Sequence, residues 1–230
     1  MFGIDPLYWI MMLPVLALSA FASFRVKSAF SKYAKIANHS GKSGAEVAKE
    51  ILQRNGLSHV GVSEARGFLS DHYDPSKKVV KLSPSVFNNS SVAAVGIAAH
   101  ETGHALQHAK AYGPLLLRNT MVPIASIGSN FAWIVIIAGF FLNMLGLVKI
   151  GIILFSVVVL FQLITLPVEF NASARAKRIL QEYGLVSQSD ARGVNAVLNA
   201  AAMTYVAAAA SAIMTLLYFL IRSGLLGGDD

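Results

Sequence analysis

Four uninterrupted apolar stretches, 7–24, 123–142, 150–168 and 200–221, constrain this 230-residue chain more than any other feature. Each approaches the ~20 residues that a helix needs to cross the ~30 Å hydrocarbon core of a bilayer. A single stretch of this kind could be a buried helix in a large soluble core. Four cannot, because charged residues make up only 13% of the chain, against roughly a quarter in soluble domains. Too little polar surface remains to cover them. The sequence predicts a mainly α-helical integral membrane protein with about four transmembrane helices, organised as a single membrane-embedded domain over residues 1–230.

Charge gives the orientation. Thirteen of the 19 Lys/Arg lie in 25–122 and four in 169–199, while the short 143–149 hairpin holds Lys149 and the tail holds Arg222. With four spans both basic regions share one side, expected to be the cytoplasm of a bacterial plasma membrane, with both termini and the hairpin outside. The first stretch lacks a basic leader and is followed by Arg25, Lys27, Lys32 and Lys35, which reads as a retained anchor. The net charge of +7 belongs to loops against anionic lipid. No basic patch carries a nucleic-acid motif, so nucleic acid is not an expected partner. The absence of cysteine excludes disulfides, thiolate zinc sites and cysteine-protease chemistry.

The long loop 25–122 has internal structure. Phe24 to Ala37 predicts an amphipathic helix with Val26, Phe30, Tyr33 and Ala37 on one face, lying along the headgroups. Ser43 and Glu46 have capping-box spacing and open a short helix that ends before Gly56. Residues Gly67–Asp71 and Val79–Leu82 predict two strands around the turn Asp74-Pro75-Ser76-Lys77. The edge of such a hairpin could pair with an extended polypeptide.

Next comes the chemistry. His100-Glu101-Thr102-Gly103-His104 reads H-E-x-x-H in a helical run from Ser91 to Lys110. Residues four apart on a helix share a face about 6 Å apart, so two imidazoles can ligate one Zn²⁺ while the glutamate between holds a water. Small neighbours Ala98, Ala99 and Gly103 let this helix approach a wall. A catalytic zinc needs a third protein ligand and an open position. His108 continues the stripe, but eight residues from His100 put it about 12 Å away, beyond one ion. His39, His59 and His72 remain as candidates, with His72 in the more suggestive surroundings. So does Glu169, which emerges at the end of the third span, where an acid needs a partner, on the same predicted side as His100.

The motif together with the later Glu169-Phe170-Asn171-Ala172 resembles the membrane gluzincins of the HtpX and Ste24 type. More closely, Leu69-Ser70-Asp71-His72-Tyr73-Asp74-Pro75, Leu82-Ser83, Ala98 through Gln107, and Leu166-Pro167-Val168-Glu169-Phe170 resemble the YugP-type neutral zinc metallopeptidases. That resemblance covers most of the chain. It implies a zinc endopeptidase with a small zincin-like α+β catalytic region in 25–122, the H-E-x-x-H helix plus a short β-hairpin. It also implies His100, His104 and Glu169 as zinc ligands, the last supplied by segment 169–199, and Glu101 as the catalytic carboxylate. Ser173 stands where the gluzincin pattern Glu-x-x-x-Asp has its acid; a serine can hydrogen-bond a ligand without that charge. His72, Tyr73 and Arg175 are candidate donors to a developing oxyanion. The expected substrate is a polypeptide, membrane or unfolded proteins among them, cleaved near the cytoplasmic surface. Two other readings have their own signatures. A non-catalytic zinc-binding scaffold has no use for Glu101, and an intramembrane protease would bury the motif in a span, which the polar ends of 91–110 oppose.

Overall fold

The computed structural model describes residues 5–226 apart from Phe68. Seven helices and three strands follow one another: α1 (Pro6–Tyr33), α2 (Gly44–Arg54), β1 (Gly61–Glu64), β2 (His72–Asp74), β3 (Val79–Leu82), α3 (Pro84–Phe87), α4 (Val92–Ala109), α5 (Gly113–Phe141), α6 (Leu145–Glu182) and α7 (Gln188–Arg222). Four of them, α1, α5, α6 and α7, are long and apolar enough to cross a membrane. α1, α6 and α7 contain the predicted spans 7–24, 150–168 and 200–221 and extend beyond them, whereas α5 starts ten residues before the predicted 123–142 and ends one residue short of it, at Phe141. Pro123 and Pro167 lie inside α5 and α6, so the start of the second span at Pro123 is not a helix boundary. Proline removes one backbone donor and strains the preceding turn, but a long apolar helix tolerates this where neighbours satisfy the freed carbonyl.

The chain divides into two compact units. The first takes residues up to Ala22, Leu117–Leu166 and the chain from Thr204. Its interior joins Met11, Met12, Val15, Ile136, Ile152 and Phe219, with Trp133, Phe155 and Phe219 in edge-to-face aromatic contacts. Glycines bring α5 and α6 close: a Cβ on Gly128 would meet the Leu154 carbonyl oxygen at 2.8 Å. Such small-residue contacts hold helices together in lipid, where no hydrophobic force does so. Outward faces present Ile10, Leu13, Leu16, Ile134, Ile153 and Leu160, as a hydrocarbon solvent requires.

The second unit comprises Ser23–Leu116 and Pro167–Met203. Its core gathers Val47, Ile51 and Leu52 of α2, Val80 and Leu82 of β3, Ala98 and Leu106 of α4, Ile179 and Leu180 of α6, and Val194 and Leu198 of α7. Phe30 is buried in this core with Ala29 and Tyr33 against it. Two residues of the predicted 24–37 face, Phe30 and Tyr33, therefore pack on protein in the last turns of α1, which ends at Tyr33, while Ala37 is exposed beyond it. Ser43 caps α2 with both bonds of the capping box in place. The sheet has order β1-β3-β2, β1 parallel and β2 antiparallel to β3. None of the described residues of the predicted strand Gly67–Asp71 is in a strand; β2 takes the next three residues, His72–Asp74, and a parallel strand β1 is added. Phe68, part of the predicted strand, lies outside the described residues. The turn after β2 is held by Asp74, whose Oδ1 accepts from the Ser76 and Lys77 amides.

Candidate metal centre

The site grows from α4. Ser91 caps its start, accepting from the Ala94 N–H, and the helix is buried along most of its length. Two glycines, one on either side of the motif's first histidine, admit close neighbours. Gly96 abuts Val194 of α7, and Gly103 faces the backbone of Ala172 in α6, where a Cβ would come within 2.8 Å of the carbonyl oxygen. That approach sets His100 and His104 opposite Glu169, one helical turn before Ser173.

His100, His104 and Glu169 each turn a ligand atom to a common point, all within 4.8 Å of one another. Glu169 Oε2 lies 3.2 Å from His100 Nε2 and 3.5 Å from His104 Nε2. The two imidazole rings meet edge to face at 4.8 Å. Among the described residues this is the group of three or more His, Asp or Glu side chains able to share an ion.

The ring tautomers follow from the surroundings. Gln107 Nε2 donates to the Val168 carbonyl at 2.8 Å, and a carbonyl can only accept, so the orientation of this amide is decided. Its Oε1 then faces His104 Nδ1 at 3.0 Å, which must carry a proton. His104 is thus left with Nε2 toward Glu169. The other ring nitrogen of His100 meets the Ser173 hydroxyl at 3.1 Å. Both imidazoles are braced through Nδ1 and present Nε2, the arrangement in which outer partners orient histidine ligands.

This donor set fits zinc. Two Nε2 atoms and a carboxylate oxygen aimed at one point hold together only with a positive charge between them, ring protons donated to Glu169 in the metal-free protein or a metal cation in their place. Zinc takes nitrogen and oxygen ligands at 2.0–2.2 Å in a tetrahedron, whose edges are then about 3.4 Å; the Glu169 oxygen stands 3.2 and 3.5 Å from the two nitrogens. Three ligands leave the fourth position open.

Glu101 shares α4 with both histidines and is buried. Burial raises its carboxyl above the ordinary range; His100 and His104 oppose that, and the charges of Glu169 and Asp71 add to it. No hydrogen bond from a described residue engages this carboxylate, so its oxygens are not committed to the scaffold. A buried, uncommitted carboxylate with raised basicity suits proton transfer.

The remaining expected residues take different places. Ser173 braces His100. Tyr73 donates or accepts at His108 Nδ1, 2.9 Å away, while His72 is exposed and bonded through its ring to the Ser70 carbonyl. Arg175 donates from Nε to Asn171 Oδ1 at 2.7 Å and lies over the Tyr112 ring. His39 and His59 do not join the cluster. Sequence reasoning assigned no role to Gln107 and Asn171. The available signal for Gln107 was its position three residues after His104, where side chains on a helix meet.

Comparison with known proteins adds an independent line. Residues 8–224 match the sequence profile of a family described as "Putative neutral zinc metallopeptidase". The chain is 48% identical over 215 residues, 94% of its length and 96% of the relative's, to "Putative membrane protease YugP" of Bacillus subtilis (strain 168). No solved structure matches. This chain belongs to that neutral zinc metallopeptidase family.

Proposed function

We propose that this family member is a zinc-dependent membrane endopeptidase of the gluzincin type, with His100, His104 and Glu169 as metal ligands and Glu101 as general base. The observation that carries this reading is the convergence of two braced Nε2 atoms and the Glu169 carboxylate beside the uncommitted carboxyl of Glu101. When bound, zinc supplies Lewis acidity that lowers the pKa of a water and polarises the scissile carbonyl. Glu101 then takes a proton from the attacking water as the new C–O bond forms. It delivers that proton to the amide nitrogen as the C–N bond breaks, and the second proton of the water passes from the new carboxylic acid to the amine, leaving a carboxylate and an ammonium. Ser173 and Gln107 keep the two imidazoles aimed, and the burial of Glu101 makes its carboxyl the stronger base. β2 is an edge strand next to α4, placed to pair with an extended polypeptide.

The site residues fall in the basic regions 25–122 and 169–199, which supports a catalytic site at the cytoplasmic face of a bacterial plasma membrane with both termini outside. Substrates there are membrane or unfolded polypeptides. The test is metal analysis and cleavage of an unfolded protein by wild type, Glu101→Gln and Glu169→Ala. Glu101→Gln retains one zinc and loses about 10²–10⁴ in turnover; Glu169→Ala loses zinc. Wild-type zinc affinity in Glu169→Ala would remove this residue from the ligand set, and residual activity near wild type in Glu101→Gln would remove the base.

A further inference from the structure

Beside the metal centre lies an open pocket of about 340 Å³ lined by Lys110, Asn171, Ala174, Arg175 and Arg178. We propose that it binds the phosphate of an anionic phospholipid headgroup, with Lys110, Arg175 and Arg178 as the anion-binding groups. This goes beyond the peptidase reading and is tested without turnover.

Three cations share one small pocket whose lining contains no carboxylate. Their mutual repulsion is relieved by a bound anion. Arg178 Nε has a carboxylate partner in Glu182, 3.5 Å away on the same helix, a surface pair worth little. Arg175 is held for the purpose. Its Nε is committed to Asn171 Oδ1 at 2.7 Å and its guanidinium sits 5.9 Å from the centre of the Tyr112 ring. Its plane is thereby fixed, and its Nη groups have no protein acceptor among the described residues. A guanidinium with paired free donors matches phosphate oxygens bidentately. The same Asn171 oxygen also accepts from Gln107, so the pocket wall is anchored to the scaffold of the metal site.

The position on α6 selects lipid over a soluble phosphate. Arg175 follows Val168, the last residue of the third apolar stretch, by seven residues, a rise of about 10 Å. That carries it from the edge of the hydrocarbon into the headgroup layer. On the face of Ala174 and Arg178, one turn earlier, stands Phe170, 46% exposed. The face changes from aromatic to basic where a phospholipid changes from acyl chain to phosphate.

The experiment titrates the full chain, purified in neutral detergent, with fluorescent short-chain phosphatidylglycerol. Saturable binding is expected, with phosphatidylcholine, whose phosphate carries its own cation, competing at least tenfold less well. Changing Lys110, Arg175 and Arg178 together to Gln should weaken binding at least tenfold. Removing the same charge elsewhere, with Lys49, Lys77 and Lys78 each changed to Gln, should leave it unchanged. Arg178→Gln alone, at a side chain 61% exposed, leaves the Asn171 link intact and should weaken binding at least threefold, so misfolding cannot account for the loss. Equal binding by wild type and the triple variant, or equal loss in the charge-matched control, overturns the site. Displacement by inorganic phosphate at concentrations up to about 10 mM, a millimolar-range affinity for the free ion, overturns the choice of lipid, whereas no displacement over that range supports it.

Discussion

Gly103→Ala is the substitution that most directly tests how the metal site is assembled. An added Cβ would sit 2.8 Å from the Ala172 carbonyl oxygen and 3.3 Å from its Cα and carbonyl carbon. All three are backbone atoms, so no rotamer change relieves the clash. Ordinary contact begins near 3.4 Å, so α4 and α6 must part locally by about half an ångström. Gly103 lies between the two histidines, and Ala172 lies between Glu169 and Ser173, so the separation passes straight into the ligand pairs. Metal sites hold their distances within about 0.2 Å, less than half of that displacement. Overpacking costs about 1–3 kcal/mol, while replacing a helical glycine with alanine returns about 1 kcal/mol. The metal-free protein should therefore lose only about 0–2 kcal/mol, a change of a few degrees in Tm. Zinc affinity should fall by about 10–100-fold, the cost of disturbing ligand orientation. The assay is competition against a chromogenic chelator, with thermal unfolding of the metal-free protein alongside. Wild-type zinc affinity in Gly103→Ala would refute the claim that this close approach sets the ligand geometry.

Three further outcomes follow from the same contacts. Gln107→Leu removes the acceptor from His104 Nδ1 and should weaken zinc binding by about 10–100-fold with helix content unchanged; a wild-type chelator competition curve would exclude the positioning role. Burial works against a charged His104, but its hydrogen bond to Glu169 and the charges of Glu101 and Glu169 outweigh this and raise its pKa. The metal-free ring therefore keeps its proton to higher pH than usual, and zinc must displace it, so affinity should rise with pH through neutrality. Calorimetry in buffers of different ionisation enthalpy should show proton release on zinc binding, and its absence would contradict the assignment. Asp71 accepts from the amide and hydroxyl of buried Ser83, so Asp71→Ala should cost about 1–3 kcal/mol by orphaning a buried donor. Burial also raises the Asp71 carboxyl, so its charge costs stability above the unfolded pKa and that cost fades as pH falls through the folded value. Wild type should gain on Asp71→Asn in melting temperature between pH 7 and 4.5; a pH-independent difference would show that the carboxylate carries no such penalty.

What could be read from the chain divides by the range of the interactions involved. The four spans and the capped helix α4 are local patterns: composition over ~20 residues, or side chains three and four apart, and these survive without knowledge of the fold. Their ends do not, because the polar extensions of α5, α6 and α7 are helical through packing on the second unit's core or through continuity with a span, not through a signal of their own. β1 is a harder case. Its four residues pair in parallel with β3, Gly61 opposite Val79, and a strand that short carries no alternation to reveal it. The site shows the same division. His100, Glu101 and His104 announce themselves by spacing, and Glu169 by the oddity of an acid at the end of a span. Gln107 does not, since an amide on a helix is unremarkable until the Val168 carbonyl decides which way it faces. That one orientation makes His104 a donor at Nδ1 and leaves its Nε2 turned toward Glu169. A glutamate at 107 would keep an acceptor for His104 but lose donation to Val168, leaving a buried carboxylate against a carbonyl. The choice of Gln over Glu beside His104 is therefore set by a backbone group 61 residues away, a constraint visible only once α4 and α6 are brought together.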